Sequence, residues 1–240
     1  MQYLLPLLDE SVSLAEVHSR LLTAFRPPDL WFYLDPVSQM VMAILGGRTY
    51  RAVSKAAFHA LLDRFGCWEA VRDAAVEDVD AVIGQVTYSD EKARRLQAAL
   101  RRLTALRGRL DLTFLADWPV EPALDWLERL PGVGRKVSTA TLNFSLLRKK
   151  AMVIDTHHLR VLRRMGLVRP RASLEEAYDR IMPRLPQAWT AETYADHHHL
   201  MTRLGERICR HKAPDCGACP LQEMCSTGRS VPARQEGLDK

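Results

Sequence analysis

The sequence predicts an all-α fold. Apolar residues recur at helical spacing, alternating Val/Ile/Thr runs and Asn-Gly hairpins are scarce or missing, and prolines cut the chain into helix-sized segments. In chain order, the opening stretch MQYLLPLLDE has no basic leader and too short an apolar run for a secretion signal. Val53, Ala57, Leu61 and Phe65 then fall on one helical face, as do Leu96, Leu100 and Leu103, which Arg94, Arg95, Arg101 and Arg102 flank. Leu124, Leu127 and Leu130 line one side of a further helix, and Val137, Ala140, Phe144 and Leu147 one side of the next. Ser173-Leu174-Glu175-Glu176 is a capping-box pattern that opens another. Pro27-Pro28, Pro36, Pro119, Pro122, Pro131, Pro170 and Pro214 mark boundaries, and Ser226 to Lys240 reads as a frayed polar tail.

Composition narrows the function. The 240 residues carry 34 Lys+Arg against 29 Asp+Glu, a net charge of +5, with 47% hydrophobic and 26% charged residues. That is ordinary globular usage and excludes a disordered chain. No apolar run reaches the roughly 20 residues of a membrane helix, so a soluble cytoplasmic protein is expected. From Pro131 to Pro170 there are nine basic residues and one acid, a local +8. The reading is either a solvated helical surface or a patch for a polyanion, where counterion release favours binding.

The sharpest motif lies inside that stretch: Leu130-Pro131-Gly132-Val133-Gly134-Arg135-Lys136. One helix ends, a short Pro/Gly turn follows, and a second helix begins. Glycines one residue apart permit positive φ and close backbone approach. Amides of the turn and of the next helix start then make an anion site that suits a phosphate without reading a base. Lys136, at a helix start among other cations, meets the conditions for a lysine that attacks as a free amine. Asp155 stands before another helix, Thr156-His157-His158-Leu159-Arg160, either as a cap or as an anion for a cationic transition state.

Four of the five cysteines crowd the C-terminal end as Cys209, Cys216, Cys219 and Cys225, a C-x6-C-x2-C-x5-C pattern. Such spacing points to one metal centre. Four-cysteine zinc sites usually use two close pairs, whereas a single close pair with two longer gaps suits the corners of an iron–sulfur cubane. Cys67 is left over and is expected to be a small buried residue. His197-His198-His199 fan out from a helix and suit packing better than one metal.

LPGVGRK, followed some twenty residues on by VIDTHHLRV, resembles the helix–hairpin–helix and aspartate loop of the endonuclease III family of DNA glycosylase/AP lyases. The resemblance runs from about Pro36 through Cys225. It implies a two-lobed helical fold, with a barrel lobe over 35–149 that ends in the hairpin. A second lobe, 1–34 with 150–240, would hold a [4Fe–4S] cluster on the four cysteines, in an architectural role. It implies Lys136 as the Schiff-base nucleophile and Asp155 as the catalytic carboxylate, facing each other across a cleft over damaged double-stranded DNA. Leu130, Gly132, Val133, Gly134 and Arg135 would form the phosphate-binding hairpin, and Lys212, in the loop between the first two cysteines, a further backbone contact. A monomer that excises oxidised pyrimidines and cuts abasic sites by β-elimination is expected. The alternatives are a non-catalytic DNA-binding homologue and a glycosylase without strand cutting. One departure stands out: where the family has a glutamine that fills the hole left by a flipped nucleotide, this chain reads Leu45-Gly46-Gly47-Arg48-Thr49, and Gly47 has no side chain to insert. Arg48 or Tyr88 are the candidate substitutes.

Overall fold

The computed structural model describes residues 11–26 and 33–231. The sequence features at 1–10, the Pro27-Pro28 pair and the end of the tail at 232–240 lie outside them. The described residues are helical, with one isolated parallel bridge between Leu34 and Ser145 and no strand, so the all-α expectation holds. The chain divides into two compact units, Phe32–Ala151 and a second that joins Met1–Trp31 to Met152–Lys240.

The unit Phe32–Ala151 is built around α2 (Pro36–Leu45). Asp35 caps it, its carboxylate accepting from the N–H groups of Val37 and Ser38 at 3.0 Å each, and Pro36 takes the first-turn position whose N–H would have no partner. The PVSQMVMAIL segment is buried nearly all round, which is why it serves as the central helix. Around it lie α3 (Arg51–Phe65), α4 (Trp68–Asp73), α5 (Val76–Ile83) and α6 (Ser89–Arg107). Leu96, Leu100 and Leu103 of α6 are fully buried, as their spacing predicts. On α3 the buried face is Ser54, Ala57, Phe58 and Leu61, not Val53 and Phe65. Phe58 turns it by packing 5.2 Å from the Trp68 ring, whose Nε1 donates to Ser38 Oγ at 2.9 Å. Cys67 is exposed, contrary to expectation, because it stands extended before α4 and Trp68 takes the buried place. Helices α7 (Val120–Leu127) and α8 (Arg135–Asn143) close the unit, and α8 packs along α2.

The interior face of α8 differs from the expected one. Ser138, Thr139, Thr141 and Asn143 are buried beside Ala140 and Leu142, while Val137 and Phe144 are half-buried. Each of these polar side chains makes a local hydrogen bond, which lowers the cost of its burial. Thr139 donates to Arg135 O at 2.7 Å, Thr141 to Val137 O at 2.8 Å, and Asn143 Nδ2 to Lys149 O at 2.7 Å.

In the other unit, α1 (Leu14–Ala24) buries Leu14, Val17 and Leu21 and packs on α11 (Ala191–Arg207), which in turn packs on α9 (Thr156–Met165). The α9–α11 crossing is close: a Cβ at Gly205 would meet His157 Cβ at 2.8 Å. α10 (Leu174–Ile181) opens on the capping box read at Ser173: Glu176 N–H donates to Ser173 Oγ at 3.1 Å and Ser173 N–H to Glu176 Oε2 at 2.9 Å. The start of the expected polar tail is instead a short helix, α12 (Ser226–Arg229). Its hydroxyls cap the end of α9, Ser226 donating to Met165 O at 2.9 Å and Thr227 to Arg164 O at 2.8 Å, acceptors that a helix end leaves open.

Candidate nucleic-acid and catalytic site

In the unit Phe32–Ala151 the hairpin joins α7 to α8. Gly132 has φ +76°, and a Cβ there would lie 2.9 Å from Arg95 Cβ, so both backbone and space demand glycine. Gly134 is different: it is extended, with no atom within 4 Å of a would-be Cβ, and both glycines are exposed. Leu130 and Val133 are 2% and 4% exposed, and their N–H groups donate within the turn to Leu127 O and Leu130 O. Their side chains are core groups that hold the hairpin. Arg135 is likewise engaged: its Nε donates to Glu128 Oε1 at 2.6 Å, and Ser138 Oγ donates to the same oxygen at 2.7 Å. Glu128 thus clasps the two ends of the hairpin.

Lys136 occupies the first turn of α8 and donates from Nζ to Ala43 O, near the end of α2, at 3.2 Å. A second lysine, unforeseen from the sequence, lies close by. Lys92 of α6 is 8% exposed and donates from Nζ to Leu45 O at 2.7 Å, to Thr49 Oγ1 at 2.9 Å and to Gly47 O. Burial, and next the charge of Lys136, push the Lys92 ammonium down to about 8. Thr49 Oγ1 also accepts from Thr87 N–H at 3.2 Å, tying the Gly47 turn to the loop that bears Tyr88. Arg48 and Tyr88 are both exposed with φ of 54° and 57°, a left-handed backbone uncommon for such residues.

In the other unit Asp155 caps α9: Oδ1 accepts from His158 N–H at 2.8 Å and Oδ2 from Thr202 Oγ1 at 3.1 Å. Burial acts to raise its pKa, but the His198 ring, the His158 N–H and the His158 and His157 rings lower it by more, so it stays below the usual carboxylate range. Its histidine neighbours are interior groups. His158 and His198 both place Nδ1 on Val153 O, at 3.2 and 2.8 Å, and His197 packs 5.1 Å from the Trp189 ring.

Cys209, Cys216, Cys219 and Cys225 line one pocket in this unit, together with Arg164 and Asp215, and none is in a disulfide. Among the described residues no three Cys, His, Asp or Glu side chains are grouped for a single metal ion. The thiols converge without closing on one point. Burial, and to a lesser degree the neighbouring cysteines, push Cys219 up to about 11 and raise Cys225, so the neutral thiol is favoured there. Lys212 is exposed in the Cys209–Cys216 loop.

Several cations of the basic stretch 131–170 also have structural partners. Arg160 donates to Gly205 O and Cys209 O, Arg164 to the carbonyls of Cys209, Arg210 and His211, Arg163 to Ala172 O, and Lys149 to Ala116 O and Trp118 O. Arg169 pairs with Glu176, and Arg148 lies 5.1 Å from the Tyr33 ring centroid. Arg160, Arg163, Arg164 and Lys149 thus fix loops through neutral carbonyls, which leaves their positive charge in place.

Residues 41–187 match the HhH-GPD superfamily of base excision DNA repair proteins. The chain belongs to that superfamily. Within it, the chain is similar to endonuclease III of Rickettsia felis, at 26% identity over 195 residues that cover 80% of this chain and 84% of the relative. It is also similar to Protein ROS1C of Oryza sativa subsp. japonica, at 30% identity over 172 residues. That match covers 66% of this chain but only 9% of the far longer plant protein. A solved non-covalent endonuclease III–DNA complex shares its fold, with a TM-score of 0.74 at 22% identity over 91% of this chain and 98% of the other. The resemblance read from LPGVGRK and VIDTHHLRV is thereby borne out. No helix among the described residues of this HhH-GPD protein is long and apolar enough to cross a membrane.

Proposed function

We propose that this HhH-GPD protein is a DNA glycosylase with AP lyase activity, acting on oxidised pyrimidines and abasic sites in duplex DNA. The observation that carries the reading is Lys136: an amine in the first turn of α8, directly behind the exposed Gly132–Gly134 turn, and beside a second buried cation. The hairpin would seat a phosphate on backbone amides at the α8 start, with Arg48, Tyr88 and Lys212 as further exposed contacts.

The Lys136 nitrogen would bond to C1′ of the sugar. At an abasic site the aldehyde oxygen leaves as water, giving a Schiff base. Loss of a proton from C2′ then sends its electron pair into a C2′–C3′ double bond, and the C3′–O bond breaks with the phosphate as leaving group. Asp155, held as an anion by His158 N–H and Thr202, would stabilise the cationic sugar as a base departs. The four cysteines are the residues that would hold a [4Fe–4S] cluster: they share one pocket, and Arg164 Nη1 lies 3.2 Å from Cys209 Sγ. When bound, the cluster would supply a structural cross-link among these thiolates. The missing side chain at Gly47 favours one other reading, a DNA-binding homologue without lyase activity.

Borohydride trapping on an abasic-site duplex decides between them. The wild-type chain is expected to form a covalent adduct, and Lys136→Gln to form none while still binding the duplex. Trapping by Lys136→Gln at the wild-type level would place the nucleophile elsewhere.

A further inference from the structure

Two aspartates cap helices here by different means. At α2, one oxygen of Asp35 accepts both N–H groups, from Val37 and Ser38. At α9, Asp155 accepts the His158 N–H on Oδ1 at 2.8 Å, and on Oδ2 the hydroxyl of Thr202 from α11 at 3.1 Å. Capping requires one oxygen only, so the Thr202 bond adds nothing that the helix start needs. It does fix the carboxylate plane, since a carboxylate held at one oxygen still turns about its bond to Cβ. The hydroxyl also forgoes a nearer partner. Thr104, Thr139 and Thr141, within their helices, return Oγ1 to the carbonyl one turn back, Leu100 O, Arg135 O and Val137 O. Thr202 instead donates to an anion 47 residues away in sequence. α11 is fastened on either side of that bond by residues of the same helical stripe, His198 and Gly205. His198 Nδ1 lies 2.8 Å from Val153 O, and Gly205 O accepts from Arg160 Nη2 at 2.7 Å. The stripe thus meets the chain before Asp155, at it and after it.

Resting on the role proposed above for Asp155, we propose that Thr202 is the positioning residue of that carboxylate, and that its hydroxyl serves base removal rather than strand cutting. In base removal the C1′–N bond breaks and its electron pair leaves with the base. The Lys136 nitrogen bonds to C1′, and the proton that the amine gives up goes to the departing base. Positive charge grows on the sugar in between, and a carboxylate whose plane is already set stabilises it without having to turn first. At a ready-made abasic site no base has to leave, so the aim of the carboxylate matters less.

The test is single-turnover base release from a duplex with one thymine glycol, an oxidised pyrimidine, beside borohydride trapping on a ready-made abasic-site duplex. Wild type, Thr202→Val, Thr202→Ser and Asp155→Asn are compared, with duplex binding and melting as controls. Thr202→Val keeps the shape and loses the hydroxyl, and Thr202→Ser does the reverse. Losing a group that faces developing charge costs about 100-fold or more, and losing one that aims it costs less, so Thr202→Val is expected to release base about tenfold more slowly. Thr202→Ser is expected to release it within about threefold of wild type, and both variants to trap the abasic site within about twofold. A merely structural threonine predicts the opposite order, because valine fills its space and serine does not. Base release by Thr202→Val at the wild-type rate overturns the inference. So does a Thr202→Ser as slow as Thr202→Val, or a Thr202→Val that slows release and trapping equally. If Thr202→Val fails to fold, Thr202→Ala against Thr202→Ser, which differ by one hydroxyl, decides by the same criterion. A wild-type chain that releases no base, or an Asp155→Asn that releases it at the full rate, refutes the underlying reading itself. That outcome is distinct from an Asp155-dependent enzyme that ignores Thr202.

Discussion

Gly132 and Gly134 stand two positions apart in one motif and do different work. Gly132 has a left-handed backbone against the Arg95 side chain, whereas Gly134 is extended and open to solvent. Gly132→Ala therefore faces both a conformational penalty and a clash, and is expected to destabilise the chain by about 1–3 kcal/mol. Gly134→Ala has neither, and its melting temperature should stay within a degree or two of wild type. Its effect should fall on duplex affinity, since a methyl group would stand where the proposed phosphate approaches. Urea titrations and binding curves for the two variants separate these roles. Equal destabilisation by both would contradict the geometry.

At the scale of elements, long side chains pin one segment to the next. Glu128 binds Arg135 and Ser138 across the hairpin, so the turn is set by an ion pair 14% and 24% exposed as well as by its glycine. Arg160 and Arg164 of α9 hold the carbonyls of Cys209, Arg210 and His211, which brings the first cysteine to its pocket, and α12 returns hydroxyls to the end of α9. The cysteine pocket is thus built from α9, the end of α11 and α12 together. Purified wild-type protein is expected to contain iron and acid-labile sulfide in equal amounts, and Cys219→Ala to lose both along with soluble yield, because metal binding and folding are coupled. Zinc without iron in the wild-type protein would refute the cluster.

Across the whole molecule, pH should act through the buried histidines. Burial pushes His158 down to about 3, and His197 also lies well below its ordinary value. In the unfolded chain both would titrate near 6.5. The folded state thus binds fewer protons between about 3 and 6.5, and its stability is full above that range and lost as pH falls through it. Each neutral buried histidine removes about 1.4 kcal/mol per pH unit well below 6.5. The urea midpoint is expected to drop clearly between pH 7 and pH 5. A flat midpoint over that window would mean that these rings take up protons in the folded state.

The sequence by itself determined the features carried by neighbours along the chain. The leucines of α6, the capping box at Ser173, the hairpin between two helices and the cysteine spacing rest on contacts a few residues apart, and the structure keeps them. Family membership followed from the hairpin and aspartate motifs for the same reason. Tertiary structure decided where the charges go. The basic run at 131–170 looked like a surface patch because the acceptors of Arg160 and Arg164 lie 45 to 49 residues away. Nothing local in SDEKARR singles out Lys92, because its acceptor Leu45 O is 47 residues away. Cys67 was displaced by Trp68, and Leu130 and Val133 turned inward, through packing that no local period records. A long cationic side chain has the same propensity whether its head meets water or a carbonyl; only the folded backbone supplies the carbonyl.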